Sequence, residues 1–145
     1  QIGATTTVTG QYGSLLLNGD GTHAVITTVA KDPTTGTFTN KVTVIDFGTG
    51  TQIGTTTTIA GQYGSRLLSA DGTRLLITAY DEPNTTDTRV AVVNTMTGTQ
   101  VGSLTLAGQD AGSALLTADG TRALIPTVVG GFSGSTTRVA VVRIV

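Results

Sequence analysis

The sequence predicts an all-β chain. Three observations carry that expectation: one unit recurs three times, each unit holds four short β-branched or aliphatic runs, and glycine turn signals separate the runs. Two of the runs in each unit are almost wholly apolar, which calls for strands covered on both faces, whereas another alternates or is mostly threonine, as a strand near solvent is. Radially stacked sheets meet both conditions, so the predicted architecture is a β-propeller with three four-stranded blades per chain, half of a six-bladed ring. A β-trefoil is the alternative, because twelve strands in three similar units at this length also describe it. Its barrel-and-cap layout, however, does not call for the two short hairpins found in every unit.

The units can be laid side by side. QIGATTTVTGQYGSLLLNGDGTHAVITTV starts at Gln1, QIGTTTTIAGQYGSRLLSADGTRLLITAY at Gln52, and QVGSLTLAGQDAGSALLTADGTRALIPTVV at Gln100. Each continues into a related second half: NKVTVIDFGTGT from Asn40, TRVAVVNTMTGT from Thr88 and TRVAVVRIV from Thr137. The chain is therefore expected to be one domain, 1–145, of repeats 1–51, 52–99 and 100–145.

In the second unit, taken in order, an outer strand D spans 55–60, an inner strand A 66–70, strand B 73–80 and strand C 88–94. Asp71-Gly72 between A and B, repeated as Asp20-Gly21 and Asp119-Gly120, is a two-residue hairpin signal of the type I′ kind, which needs positive φ at both central residues. Thr49-Gly50 and Thr97-Gly98 are expected to turn C into D in the same way. The B-to-C connection is longer and differs between copies, as an exposed loop does. Pro126 stands where the other units have Thr27 and Thr78. Because proline cannot donate to a ladder, a bulge or a lost hydrogen bond is expected there.

The stretches Ser69-Ala70-Asp71-Gly72-Thr73-Arg74-Leu75-Leu76-Ile77-Thr78 and Thr88-Arg89-Val90-Ala91-Val92-Val93-Asn94-Thr95-Met96-Thr97-Gly98 resemble the YVTN-type repeat of bacterial β-propellers. That pattern runs roughly S-P-D-G-x-x-L-Y-V-T-N and then V-x-V-I-D-x-x-T-G, and the resemblance covers all three units. Ala70 replaces the family's Pro, and Leu76 and Ala79 stand where its Tyr and Asn would be, so any role of that Tyr or Asn is lost here. The family includes surface-layer-associated proteins and lactonase-like enzymes, so the resemblance implies a fold rather than an activity.

Composition narrows the function classes. Charged residues are 12% of the chain and the net charge is -1, with Lys and Arg scattered, so a nucleic-acid footprint is not expected. No apolar run is long enough for a membrane-spanning helix. There is no Cys and one His, which leaves little material for a thiolate metal site or a His-based catalytic apparatus. His23 aligns with Arg74 and Arg122 and is expected to be a surface strand residue. No cofactor, metal ligand or catalytic residue is expected. The chain opens on Gln1 rather than Met, which suggests a processed or trimmed product, and its Thr and Gly richness with low charge suggests a secreted or cell-surface protein.

Three blades are fewer than the four to eight of known propellers, so an apolar sheet face would stand bare at each end of the arc. The chain begins with a D strand, 2–9, and stops inside a C strand, 137–145. A two-fold dimer would let each N-terminal D strand complete the last blade of its partner and close six blades. The expected partner is thus a second copy of the chain. A nine-bladed trimer follows the same logic with a wider pore, and a piece of a longer propeller is a further alternative.

The D-to-A loops of a propeller crowd the mouth of its central channel. Candidate ligand-binding residues are therefore Gln11, Tyr12, Gln62, Tyr63, Gln109 and Asp110, which would form a shallow polar and aromatic rim for a small ligand, glycan or peptide. Duplication alone also explains why the loops match, with Gln and Tyr filling the rim. Asp32-Pro33 and Asp81-Glu82-Pro83 in the B-to-C loops could bind a hard cation, but acids before Pro are ordinary solvated turn residues. The leading expectation is a non-catalytic structural or binding scaffold, with a lactonase-like metal-dependent hydrolase and a lectin-like propeller as alternatives.

Overall fold

The computed structural model describes residues 5–62, 64–80, 86–130 and 134–144. Its strands fall into three antiparallel sheets, each a meander of consecutive strands. The first holds β1 (Gln11–Leu17), β2 (His23–Lys31), β3 (Phe38–Asp46) and β4 (Gln52–Ala60). The second holds β5 (Arg66–Leu68), β6 (Arg74–Ala79), β7 (Asp87–Asn94) and β8 (Thr99–Ala107). The third holds β11 (Arg122–Val129) and β12 (Thr136–Arg143), with an inner strand split into β9 (Gln109–Asp110) and β10 (Leu115–Leu116). Separate stacked sheets are a propeller arrangement and not the barrel and cap of a trefoil. The second and third repeats each begin with the outer strand of the sheet before: β4 opens the second repeat but pairs with β3, and β8 opens the third but pairs with β7.

The blades are held by two apolar layers. Val25, Val42, Val44 and Ile59 of the first blade pack on Leu75, Ile77, Ala79, Ala91 and Val93 of the second. Leu76, Val90 and Val92, on the opposite face of the second blade, pack on Ala114, Ala123, Ile125 and Ile144 of the third. Near-continuous apolar runs in β6 and β7 therefore serve two layers at once, alternate residues going to opposite neighbours.

Two local expectations are corrected, and a third, at Pro126, is met as a lost hydrogen bond rather than a bulge against β12. The A-to-B turns are not type I′: Gly72 has φ +71°, but Asp71 is not among the positive-φ residues, and the turn closes through Gly72 N–H to the Ser69 carbonyl at 2.8 Å. The Asp carboxylate instead accepts the Thr73 N–H at 3.0 Å two residues on, a local bond that needs no left-handed Asp. The C-to-D turns likewise put only Gly50 and Gly98 at positive φ and close from Gly98 N–H to the Asn94 carbonyl at 2.9 Å. Pro126 produces no bulge against β12, where it pairs with Val139 in unbroken register. Its missing N–H faces the inner strand: Thr78 donates to the Ser65 carbonyl at 2.9 Å, and the equivalent bond from Pro126 to Ser113 cannot form. There β9 and β10 part, and Ser113 takes φ 60°.

The N-terminal D strand is corrected too. Residues 5–9 form no strand, and residues 1–4 lie outside the described ones. Residues 5–9 nevertheless lie where a D strand of a preceding blade would lie. The Thr28 hydroxyl donates to the Thr9 carbonyl at 2.9 Å, just as the equivalent Thr127 donates to the Ala107 carbonyl at 2.8 Å at the end of β8. Lys41 Nζ reaches Thr9 Oγ1 at 3.0 Å, and the equivalent Arg89 reaches the Ala60 carbonyl at the end of β4. The groove between β4 and the second blade, lined by Thr58, Ile59, Ala60, Arg89 and Ala91, recurs between this segment and the first blade with Thr7, Val8, Thr9, Lys41 and Thr43.

Candidate functional site

The rim residues differ in exposure. Gln11 and Tyr12 are exposed at the start of β1, whereas Gln62 and Gln109 are half-buried and use their backbones. Gln62 N–H donates to the Tyr80 carbonyl at 2.9 Å, and Gln109 pairs with Val128. Tyr63 lies outside the described residues, as does Asp81-Glu82-Pro83.

Asp110 departs most from its expected place. It is 7% exposed and is turned back into the seam between the second and third blades. Its carboxylate accepts from the Thr78 hydroxyl, from Ser65 N–H at 3.2 Å and Oγ at 3.3 Å, and from Gly112 N–H at 2.8 Å. Thr78 Oγ1 in turn accepts the Ser65 N–H at 2.6 Å. A carboxylate so bonded is a structural joint between blades rather than an open ligand site. A sequence signal did exist, since Asp110 replaces a Tyr that the other two loops share.

The first-to-second seam is polar in a different way. Asn40 is fully buried and donates from Nδ2 to the Gly61 and Gln62 carbonyls at 2.6 and 3.1 Å, while its Oδ1 accepts from Arg66 Nη2 at 2.7 Å. Burial lowers the Arg66 guanidinium's pKa, and its buried Nε has no hydrogen-bond partner.

The remaining acids serve turns. Thr neighbours donate N–H and O–H groups to Asp20, Asp46, Asp71 and Asp119, and Thr34 and Thr35 donate N–H groups to Asp32. Each of these carboxyls is held below the usual aspartate range by hydrogen bonds, led for Asp71 by the Ser69 hydroxyl and for Asp119, which reaches about 2, by the Thr117 hydroxyl, and for the others by the Thr donors just named. His23, half-buried at the start of β2, shares Nδ1 with Asn18 Nδ2 at 3.1 Å and Thr22 Oγ1 at 2.9 Å.

The apolar surface lies elsewhere, on the two end faces. On the third blade Leu115, Leu124, Val139 and Val141 stand exposed, the two valines at 61% and 70%. Their repeat equivalents are Leu67, Leu76, Val90 and Val92, of which the last three are at most 4% exposed because the third blade covers them. An apolar hollow of about 380 Å³ opens on this bare face, lined by Leu115, Leu116, Ala123, Leu124 and Val141 among others. The far end of the arc is bare as well: Leu15, Leu17 and Phe47 of the first blade are exposed, whereas their third-blade equivalents Ala114, Leu116 and Ile144 pack on the second blade.

Comparison with solved structures agrees with the fold. The chain is similar to hydrazine synthase of Kuenenia stuttgartiensis (16% identity, TM-score 0.59), covering 89% of this chain and 38% of that one. It is similar to the β-propeller domain of the trilobed protease of Pyrococcus furiosus (14%, TM-score 0.56), with 92% and 38% covered. It is also similar to a eukaryotic initiation factor (13%, TM-score 0.56), with 98% and 43% covered. This chain thus spans less than half the length of each of these three structures, and identities this low carry the fold alone. No family model matches the sequence, and no curated protein does.

Proposed function

We propose that the chain is a non-catalytic β-propeller scaffold of the YVTN-repeat kind, secreted or cell-surface, that closes as a homodimeric six-bladed ring with a small ligand, glycan or peptide bound at the channel mouth. The observation that carries the ring is the bare face of the third blade. Inside the chain that same set of positions is covered twice, each time by the opposite face of the next repeat. A second copy offers that opposite face on its first blade, through Leu15, Leu17 and Phe47. Covering each large apolar side chain is worth about 1.5–3 kcal/mol, so several per junction supply a driving force.

Strand exchange belongs to the same reading. The outer edge of β12 has no strand partner among the described residues, while residues 5–9 already sit against the first blade as β4 sits against the second. Extended upstream, that segment is the D strand of the partner's third blade. The non-catalytic reading draws support from the titratable groups: the turn aspartates are engaged by backbone and hydroxyl donors, Asp110 is sealed in a seam, and His23 is held by Asn18 and Thr22.

Solution mass tests the ring. Twice the chain mass at micromolar concentration is the expected result, and a stable monomer there would sink it. Removing residues 1–9 is expected to abolish closure, and a well-folded truncated dimer would overturn the exchanged strand. The channel-mouth ligand is tested by glycan-array and peptide-array screening, with Gln11→Ala and Gln62→Ala expected to weaken any hit.

A further inference from the structure

Resting on that ring, the register of the inner strands identifies a specific contact between the two copies. Tyr12 pairs with Thr28 in the first blade, and Asp110 pairs with Thr127 in the third. Thr28 and Thr127 are equivalent in the repeat, so Tyr12 and Asp110 occupy the same place at the head of the inner strand. Their surroundings differ. The second blade covers Asp110, whose carboxylate reaches Ser65 and Thr78, whereas no described blade covers Tyr12, which is 70% exposed.

What a preceding third blade would offer to Tyr12 follows from the same alignment: Ser113 in place of Ser65, and Pro126 in place of Thr78. The two departures match chemically. Thr78 gives a hydroxyl proton to a carboxylate, while Pro126 has neither hydroxyl nor N–H to give and presents an apolar ring. A tyrosine suits that surface, because its ring gains from apolar cover while its hydroxyl can stay at a wet edge. The seam inside the chain joins Asp to Thr; the seam between chains would join Tyr to Pro. At the remaining seam, Thr27 instead shares its hydroxyl with Ser14 of its own blade at 2.7 Å.

We infer that Tyr12 of one chain packs on Pro126 of the second copy, beside Ser113, once at each of the two junctions. This contact fixes which faces meet, since only the first blade brings a Tyr to the head of an otherwise uncovered inner strand and only the third brings a Pro.

Dimer dissociation measured by sedimentation velocity over a concentration series tests the contact through a residue swap. Tyr12→Asp is expected to raise the dissociation constant roughly tenfold or more, and adding Pro126→Thr to that variant is expected to restore it to within about threefold, because the swap rebuilds the Asp–Thr joint. A wild-type dimer that Tyr12→Asp leaves unmoved overturns the contact, as does a loss that Pro126→Thr does not repair. A wild-type monomer sinks the ring itself, a separate result. Should Tyr12→Asp fail to fold, Tyr12→Trp serves as a reporter in a chain that has no other Trp. Its emission is expected to move to shorter wavelength as concentration drives dimer formation, and emission that stays that of a solvated indole overturns the contact.

Discussion

The second and third blades carry nearly the same residues on the same face, yet one face is core and the other is surface. Val90 and Val92 are at most 4% exposed, while Val139 and Val141, identical in type and register, exceed 60%. Burial here is set by position in the array and not by local sequence, as in any repeat protein whose units can cover their apolar faces only with neighbours. The third blade repeats, on that face, the residues that the first two blades bury under a neighbour.

The sharpest way to break that comparison is to place a charge on the bare face. Val141→Asp is expected to raise the dimer dissociation constant roughly a hundredfold, about 3 kcal/mol, since the carboxylate would be buried without a partner at both junctions. Sedimentation velocity reads this, and an unchanged mass and melting temperature would make the face ordinary surface. Next in size is a matched pair of truncations. Leu76→Ala should cost about 2–5 kcal/mol in urea unfolding. Leu124→Ala should cost less than about 0.5 kcal/mol in chains kept monomeric by Val141→Asp and should approach the larger value where the ring forms.

The polar seam gives a smaller effect. Thr78→Val removes one of the two hydroxyls that donate to the buried Asp110, leaving Ser65 Oγ at 3.3 Å, and should destabilise the chain by about 1–3 kcal/mol. Thr27→Val, at the same place in the first blade, should cost less because its partner Ser14 is only half-buried. The smallest effect is that of pH. Asp20, Asp71 and Asp119 have folded-state pKa values below the ordinary value of about 4, so their contribution is complete above that pH and is lost as pH falls toward the folded values, about 2 for Asp119. Melting temperature is expected to be flat from pH 7 to about 5 and to decline below about 4. The combined Asp20→Asn, Asp71→Asn and Asp119→Asn variant should flatten that decline, and a profile that falls equally in both proteins would remove these turns as its cause.

Strand order, the offset between repeat and blade, and the double-sided burial of β6 and β7 were all legible in the sequence, because each follows from periodicity and apolar runs. Turn geometry was not. Asp-Gly suggests two left-handed residues, but the Asp side chain finds a better use as an acceptor for the Thr two residues on, so only the glycine turns left-handed. Asp110 was expected on the rim, but its burial depends on Ser65 and Thr78, some 45 and 32 positions away, which no local pattern reveals. The strand expected over 2–9 is absent from its described part, residues 5–9, because a strand needs a ladder partner and none of the described residues supplies one.

Each sheet is also contiguous in sequence, and that governs how the molecule comes into being. A meander closes through short loops, so a blade can fold as soon as its strands exist, at a rate independent of concentration. In the proposed ring, closure is bimolecular and slows as the chain becomes dilute. Between these two clocks there is an interval in which β12 presents a free edge and the Val139–Val141 face to whatever it meets, the combination that seeds strand-to-strand aggregation. Arg138 and Arg143, at the two ends of that apolar run, place charges where a growing stack would have to bury them. Soluble yield should therefore depend on the race between synthesis and encounter more than on the stability of the finished ring.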